Sequence, residues 1–180
     1  NATLRSLRAQ IYSGKFDITV INDNSTDNTL EIVNQMKDKN ITVVNGTPLP
    51  KGWTGKLWAL AQGIELSKKK NPFLDFYLFT DADIEHPPET LKLIIAKAER
   101  ENFHLVSLMV MLNCTFFWEK FLIPAFVFFF QKLYPFQWIN DPMRSTAGAA
   151  GGYMLIRRRA LEDAGGIKAI SNEIIDDCAI

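Results

Sequence analysis

The feature that most restricts the possible fold is the alternation of β-type runs with helical segments in the first hundred residues. The runs FDITVIND, ITVV and FLDFYLFT are rich in β-branched and aromatic residues, and a helical pattern follows each of them. Parallel strands need a crossover connection that is usually a helix, so this alternation is typical of a parallel sheet. We therefore predict an α/β fold with a parallel sheet flanked by helices.

Helix boundaries follow from apolar spacing and capping residues. Leu4, Leu7 and Ile11 share one face of a first helix by the i, i+3, i+7 rule. A second helix is predicted to begin near residues 25–27, where the capping types Ser, Thr and Asp occur together, and to reach about Lys39. A later apolar run, FHLVSLMVML, predicts a further strand.

Length and charge exclude several classes of protein. The 180 residues suit one α/β domain, and 20 basic against 20 acidic residues leave no net charge, which argues against a nucleic-acid partner. Cys114 and Cys178 are far apart and form no CxxC motif, so neither a zinc site nor a disulfide framework is predicted.

Two aspartates follow the third β-type run directly, in LFTDADIEHPP. Asp81 and Asp83 could simply cap the next helix, or they could bind a divalent cation and phosphate at the carboxyl end of a strand, where α/β sheets bind ligands. His86 is either a third metal ligand or a histidine packed on the neighbouring proline pair. The sequence leaves both alternatives open.

Asp23 and Lys56 stand in similar positions. Asp23 ends a strand and precedes a helix, so it is either part of an ordinary turn or a hydrogen-bond acceptor for a base or ribose. Lys56 opens a helix, where its charge opposes the helix dipole. A bound phosphate would gain from both the ammonium group and the helix N-terminus, whereas the alternative is a solvated surface lysine. We expect Asp23, Asp81 and Asp83 to lie on the same carboxyl edge of one sheet.

Residues 116–138, FFWEKFLIPAFVFFFQKLYPFQW, form an aromatic segment. Its uncharged run is too short to span a bilayer as one helix. Pro124 and Pro135 are predicted to break the segment into two short helices. Trp, Tyr and Lys residues bracket it as they bracket interfacial segments, which favours a membrane-surface location over a pair of core helices.

The last chemical feature is the adjacent acidic pair Asp176 and Asp177. Such a pair is often solvated surface or a helix cap. It could also supply a general base, which requires a carboxylate beside an acceptor hydroxyl.

Several stretches of the sequence resemble one enzyme family. VINDNSTDNT, GKLWALAQG, TDADIEHP, GAAGGYMLIRRRALEDAGG and IIDDCAI are similar, in order and spacing, to motifs of the family 2 inverting glycosyltransferases of GT-A fold. PLPKGWTGKLWALAQG and LIPAFVFFFQKLYPFQWIND look most like the hopene-associated glycosyltransferase subgroup of bacterial hopanoid gene clusters. The resemblance covers nearly the whole chain and implies a GT-A, Rossmann-like α/β fold with a mixed, mainly parallel sheet flanked by helices.

On the donor side, the resemblance implies that Asp23 contacts the nucleotide, with Asn22 in place of the family's more usual aspartate. Asp81 and Asp83 match the DxD pair, which implies Mg²⁺ or Mn²⁺ on the donor diphosphate with Asp83 as its main ligand. We add Lys56 and Asp81 to the predicted nucleotide-sugar site.

On the acceptor side, the resemblance implies that Asp177 is the general base and that Asp176 replaces the family's glutamate. Gly151 and Gly152 match the loop that lines the acceptor and the donor sugar. Residues 1–100 are then the nucleotide-binding half, and residues 101–180 the acceptor-side half with the interfacial segment.

The family's opening strand is missing before Asn1, and its Gln-x-x-Arg-Trp type segment lies beyond Ile180. We therefore expect a single glycosyltransferase domain that is truncated at both ends and is not competent by itself.

The expected activity is transfer of a sugar from a nucleotide donor, with a UDP-sugar favoured, to a lipid-linked hydroxyl at the cytoplasmic face of the bacterial inner membrane. The alternative is a nucleotide-sugar-binding or phosphate-binding module without catalysis. A third hypothesis, a membrane or structural anchor, depends on the aromatic segment alone.

Overall fold

The structure of the chain, a computed structural model, describes residues 2–36 and 38–173. Strands and helices alternate through most of these residues, and the mixed α/β architecture predicted from the sequence is confirmed. In chain order the elements are α1 (Ala2–Arg8), β1 (Ile18–Asn22), α2 (Thr29–Gln35), β2 (Ile41–Asn45), α3 (Gly55–Lys70), β3 (Phe76–Thr80), α4 (Thr90–Arg100), β4 (Leu105–Ser107), α5 (Phe117–Leu133), α6 (Phe136–Ile139), β5 (Tyr153–Arg157), α7 (Arg158–Asp163) and a 3-10 turn (Ile167–Ile170).

The strands form two hydrogen-bonded groups. β1 pairs with β2 in parallel, with Ile18 opposite Ile41. β5 lies between β3 and β4 and runs antiparallel to both. Among the described residues β1 and β3 therefore belong to different sheets, so the prediction that their acidic ends lie on one sheet is wrong. The described strands also form fewer parallel pairs than the alternation predicted. After the long stretch 108–152, β5 is inserted between β3 and β4 and runs in the opposite direction to both.

Helix α3 joins the two sheets. Leu57 and Ile64 are buried in a cluster with Tyr77 and Phe79 of β3 and with residues of β5. A different part of α3 faces β1, where Ile21 approaches to 3.7 Å of the position that a Cβ would occupy at Gly63. Helix α3 therefore packs against β1 on one side and against β3 and β5 on another.

Helix α1 packs on the β1–β2 sheet. Leu4 and Leu7 are buried against Val33 and side chains of both strands, as their spacing predicted. The prediction is wrong for Ile11, whose side chain is 60% exposed. The helix ends at Arg8, and the backbone N–H of Ile11 donates instead to the carbonyl of Pro88 at 2.7 Å.

Two other boundaries differ from the sequence pattern. α2 ends at Gln35 rather than near Lys39, and Asp27 accepts a hydrogen bond from the N–H of Thr29 at its start. β4 contains only three residues, because beyond Ser107 the chain leaves its partner strand. The apolar run that predicted a longer strand continues as a partly exposed segment.

The aromatic segment is mainly one helix. α5 continues through Pro124, and Pro135 separates it from the short α6, so the prediction that both prolines break the helix is wrong for Pro124. Proline removes one helical hydrogen bond at a cost of about 3 kcal/mol. Glu119 strengthens the start of α5 by accepting the N–H groups of Thr115 and Phe116, each at 2.8 Å. As predicted, no helix in the described part of the chain has the length and apolar character needed to span a membrane.

Candidate functional site

The N-terminus of α3 lies close to two aspartates, Asp23 after β1 and Asp81 after β3. Asp23 Oδ2 lies 3.1 Å from the position of a Cβ at Gly55, the first residue of α3. The next residue, Lys56, places its Nζ 3.8 Å from Asp81 Oδ1. Asp23 and Asp81 are thus neighbours of consecutive residues in α3, although their strands are in different sheets.

The pairing between Lys56 and Asp81 is a surface interaction. Each side chain is about half exposed, so the attraction stabilises the fold by no more than about 1 kcal/mol. Its main consequence is local: an ammonium group and a carboxylate are held side by side at the mouth of a helix N-terminus. An anion and a cation could therefore bind next to each other at this place.

The first turn of α3 has the donors that an anion needs. The first N–H groups of an α-helix have no partner within the helix, and the dipole adds partial positive charge there. Among the described residues the N-cap Thr54 makes no capping bond with its side chain. Lys56 adds a formal charge, so the start of α3 is suited to phosphate.

Asn22 and Asp23, at the end of β1, have different roles. Asn22 is buried and donates from Nδ2 to Asn45 Oδ1 at 3.1 Å, which ties the ends of β1 and β2 together. An aspartate at this position would lose that donor. Asp23 is exposed, and the chain turns immediately after it because Asn24 adopts a left-handed φ of 56°. Asp23 is therefore the carboxylate available to a ligand.

The loop after β3 places both of its aspartates at the surface and adjoins the glycine pair. The N–H of Asp81 donates to the carbonyl of Gly152 at 3.2 Å, and Asp83 is exposed. A Cβ at Gly152 would lie only 2.6 Å from Val110 Cγ2, so a side chain there would force this segment away. The structure thus brings Gly151 and Gly152 beside the acidic loop.

A divalent cation fits this loop by the chemistry of its donors. Carboxylate oxygens suit Mg²⁺ and Mn²⁺, and Asp81 and Asp83 are both accessible. Within residues 2–36 and 38–173 there is no group of three or more His, Cys, Asp or Glu side chains that could hold a metal. Mg²⁺ is often held by one or two carboxylates together with substrate phosphates, so the pair suits a cation that binds with a diphosphate.

His86 is part of the core instead of the surface. It is 6% exposed, its Nε2 lies 3.2 Å from Thr80 Oγ1, and its ring centroid is 4.9 Å from that of Tyr153. Burial lowers the pKa of His86 from its ordinary value of 6.5, which favours the neutral ring. The same environment raises the pKa of Tyr153 to about 12. His86 is therefore buried beneath the acidic loop, in contact with Thr80 and Tyr153.

Three residues of α1 and the turn after it contact the acidic loop and were not identified from the sequence. Thr3, Ser6 and Gln10 make side-chain hydrogen bonds to residues between Ala82 and Leu91. Their spacing, i, i+3 and i+7, is a signal for one polar helical face. The apolar spacing of Leu4 and Leu7 in the same helix predicts only the buried face and does not indicate the polar one.

The aromatic helix α5 has no buried residue among those described. Phe117, Trp118, Phe121, Phe126, Phe128 and Phe129 are all exposed by more than half. This exposure does not match the alternative of a pair of core helices.

An open, mainly apolar groove of about 540 Å³ separates α5 from residues 109–112, and Val110 lines it. Because Val110 also contacts the position of Gly152, the groove begins next to the acidic loop.

Asp176 and Asp177 lie outside the described residues, as does Cys178. The predicted general base therefore stays a prediction, and so does the acceptor-side role of Asp176.

Comparison with protein families agrees with the fold. The model of the glycosyl transferase family 2 domain matches residues 1–165. That range contains Asp23, Lys56, Asp81, Asp83 and the glycine pair, and it ends before Asp176. The chain belongs to glycosyl transferase family 2. No curated protein sequence matches it significantly.

Proposed function

We propose that this chain provides the donor site of a metal-assisted, inverting glycosyltransferase that moves a sugar from a UDP-sugar to the hydroxyl of a lipid. The observation that carries the proposal is the convergence of Asp23, Lys56 and Asp81 at the first turn of α3. Asp23 accepts hydrogen bonds from the nucleoside, while Lys56 and the helix N-terminus bind the diphosphate. Asp83 and Asp81 hold Mg²⁺ or Mn²⁺, which supplies positive charge to the diphosphate when it is bound.

The proposed reaction is a single displacement. Asp177 accepts the proton of the acceptor hydroxyl while the hydroxyl oxygen forms a bond to the anomeric carbon of the sugar. The bond from that carbon to the diphosphate oxygen breaks, and UDP leaves with the bonding electron pair. One displacement inverts the configuration at the anomeric carbon. Gly151 and Gly152, beside the loop that carries Asp81, are proposed to line the acceptor side together with Asp176.

Exposure of α5 supports a lipid acceptor and a membrane surface. A row of exposed aromatic side chains is an association hazard in water, whereas a bilayer interface buries it. Lys132 lies over the ring of Phe128 at 5.4 Å, and Arg144 over that of Trp138 at 4.6 Å, so the aromatic surface carries positive charge at its edge. Such a surface suits the anionic cytoplasmic leaflet of a bacterial membrane. The link to hopanoids rests on sequence resemblance.

We predict that Asp83→Ala in the full-length protein weakens Mn²⁺-dependent binding of UDP-sugar at least tenfold, because one of two hard oxygen ligands is removed. Binding is measured by calorimetry across a panel of UDP-, GDP- and CMP-sugars, with and without Mn²⁺. Glu85→Ala, which removes another exposed acid of the same loop, is the matched control and should bind like the wild type. The assignment is reversed if folded His86→Ala protein loses Mn²⁺-dependent binding while Asp83→Ala retains it.

We predict that replacing Phe128, Phe129 and Phe130 together by serine weakens binding to anionic vesicles at least tenfold. Full burial of one phenylalanine contributes about 1.5–3 kcal/mol. Partial insertion of three rings therefore contributes more free energy than a tenfold change in vesicle affinity requires. The measurement is vesicle flotation of the full-length protein, with circular dichroism to verify folding and transfer to a lipid acceptor as a second readout. Phe73→Ser, an exposed phenylalanine outside the segment, is the control. Unchanged flotation and transfer in a folded triple variant would contradict the membrane role.

A further inference from the structure

Helix α1 is connected to the loop between β3 and α4 by a series of hydrogen bonds. Thr3 Oγ1 donates to the carbonyl of Ala82 at 2.7 Å. Ser6 Oγ accepts the N–H of His86 at 3.0 Å. These contacts lie at the residue directly before Asp83 and at the third residue after it, so α1 holds the acidic loop on both sides of the proposed metal ligand.

Gln10 makes the most complete contact of the series. It is 8% exposed, and both ends of its amide are used. Nε2 donates to the carbonyl of Pro87 at 2.8 Å, and Oε1 accepts the N–H of Leu91 at 2.9 Å. The N-cap of α4, Glu89, makes no side-chain capping bond among the described residues, so Gln10, in the turn after α1, supplies an acceptor to the first turn of α4.

The opposite face of α1 is anchored elsewhere. Leu4 and Leu7 pack with Val33 against β1 and β2, the sheet that ends in Asp23. The described part of β1 has no hydrogen-bonded ladder with β3, so the distance between their ends is not set by strand pairing. Helix α1 spans this junction, with apolar contacts on one side and polar contacts on the other.

We propose that the polar side chains of α1 and of the turn after it, Thr3, Ser6 and Gln10, form a positioning device that sets the acidic loop at the correct separation from Asp23. This inference rests on the proposed function, since its purpose is to hold the diphosphate end of the donor site relative to the nucleoside end. His86, which is buried and neutral, connects Ser6 with Thr80. Its backbone N–H donates to Ser6 Oγ, and its ring Nε2 lies within hydrogen-bond distance of Thr80 Oγ1. Neither Gln10 nor His86 contacts the donor in this arrangement, so both are positioning residues.

The test compares Gln10→Met with Gln62→Met in the full-length protein. Methionine keeps a similar side-chain length and removes all hydrogen bonds of the amide group, which for Gln10 also include donation from Nε2 to the carbonyls of Ser6 at 3.2 Å and His86 at 3.5 Å. Gln62, in α3, also uses both ends of its amide, accepting from Thr47 and donating to the carbonyl of Trp58, but it does not contact the loop. We expect backbone hydrogen exchange in residues 82–91 to become about tenfold faster in Gln10→Met and to stay unchanged in Gln62→Met.

The second readout is affinity for UDP in the presence of Mn²⁺, at a temperature where each variant is folded. We expect the Kd to rise about tenfold for Gln10→Met and less than twofold for Gln62→Met. Ser6→Ala removes the hydroxyl that accepts from the N–H of His86 and donates to the carbonyl of Thr3. It should show the same pattern with a smaller change, and it provides the test if Gln10→Met does not fold.

The outcomes separate the two proposals. If hydrogen exchange in residues 82–91 is unchanged in Gln10→Met, the positioning role is overturned. UDP binding by the wild type would then still support the proposed donor site. Faster exchange with unchanged UDP affinity shows that the contacts only stabilise the fold, which also overturns the positioning role. A wild-type protein that binds no UDP overturns the proposed function and the positioning role with it, although the exchange difference would persist.

Discussion

Replacing Asp177 by asparagine in the full-length protein is expected to lower the turnover number for sugar transfer by about 10²- to 10⁴-fold, the range over which a positioned general base accelerates reactions. Asparagine has nearly the same shape as aspartate but cannot accept the proton of the acceptor hydroxyl. UDP-sugar affinity should remain within twofold of the wild type, because the proposed donor contacts come from Asp23, Lys56 and the acidic loop. Initial rates at saturating donor and equilibrium binding check the two parts separately.

Asp163→Asn is the matched control for this substitution. Asp163 is an exposed carboxylate at the end of α7, 4.0 Å from Arg159, and its replacement should leave both turnover and binding unchanged. If Asp177→Asn transfers sugar at the wild-type rate, the general base lies elsewhere. If the wild type binds donor and shows neither transfer nor donor hydrolysis, the non-catalytic binding module replaces the enzyme.

Leu57→Ala is expected to lower the free energy of unfolding by about 2–5 kcal/mol, the usual cost of truncating a fully buried leucine. Leu57 is 0% exposed and lies in the cluster that packs α3 against β3 and β5. Since it directly follows Lys56, loosening of this contact should also weaken UDP binding. Denaturant titration gives the stability change, and calorimetry gives the affinity.

Leu93→Ala serves as the control for Leu57→Ala. Leu93 lies on α4 with 62% of its surface exposed, so its truncation should change stability by no more than about 0.5 kcal/mol. Equal effects of the two substitutions would mean that α3 is not the element that holds the two sheets together.

Local pattern was sufficient wherever a residue's environment follows from its own element. The spacing of Leu4 and Leu7 identified the buried face of α1, and β-rich runs identified β1, β2 and β3. The same reasoning did not apply to Ile11, since a long-range hydrogen bond to Pro88 draws its backbone out of the helical path. The prediction that Pro124 breaks the helix is wrong because helix formation over seventeen residues outweighs one missing hydrogen bond.

Sequence and tertiary structure thus determined different parts of this protein. The sequence alone determined the α/β class, the family and the aspartates that end β1 and β3, because these depend on periodicity, motif order and residue chemistry along the chain. Only the tertiary structure decided that β5 enters between β3 and β4, that His86 is buried, and that α3 brings Asp23 to Asp81. Those features depend on contacts between residues far apart in the chain, such as the pairing of β5 with β3 and β4 and the packing of His86 on Tyr153, which no local pattern encodes.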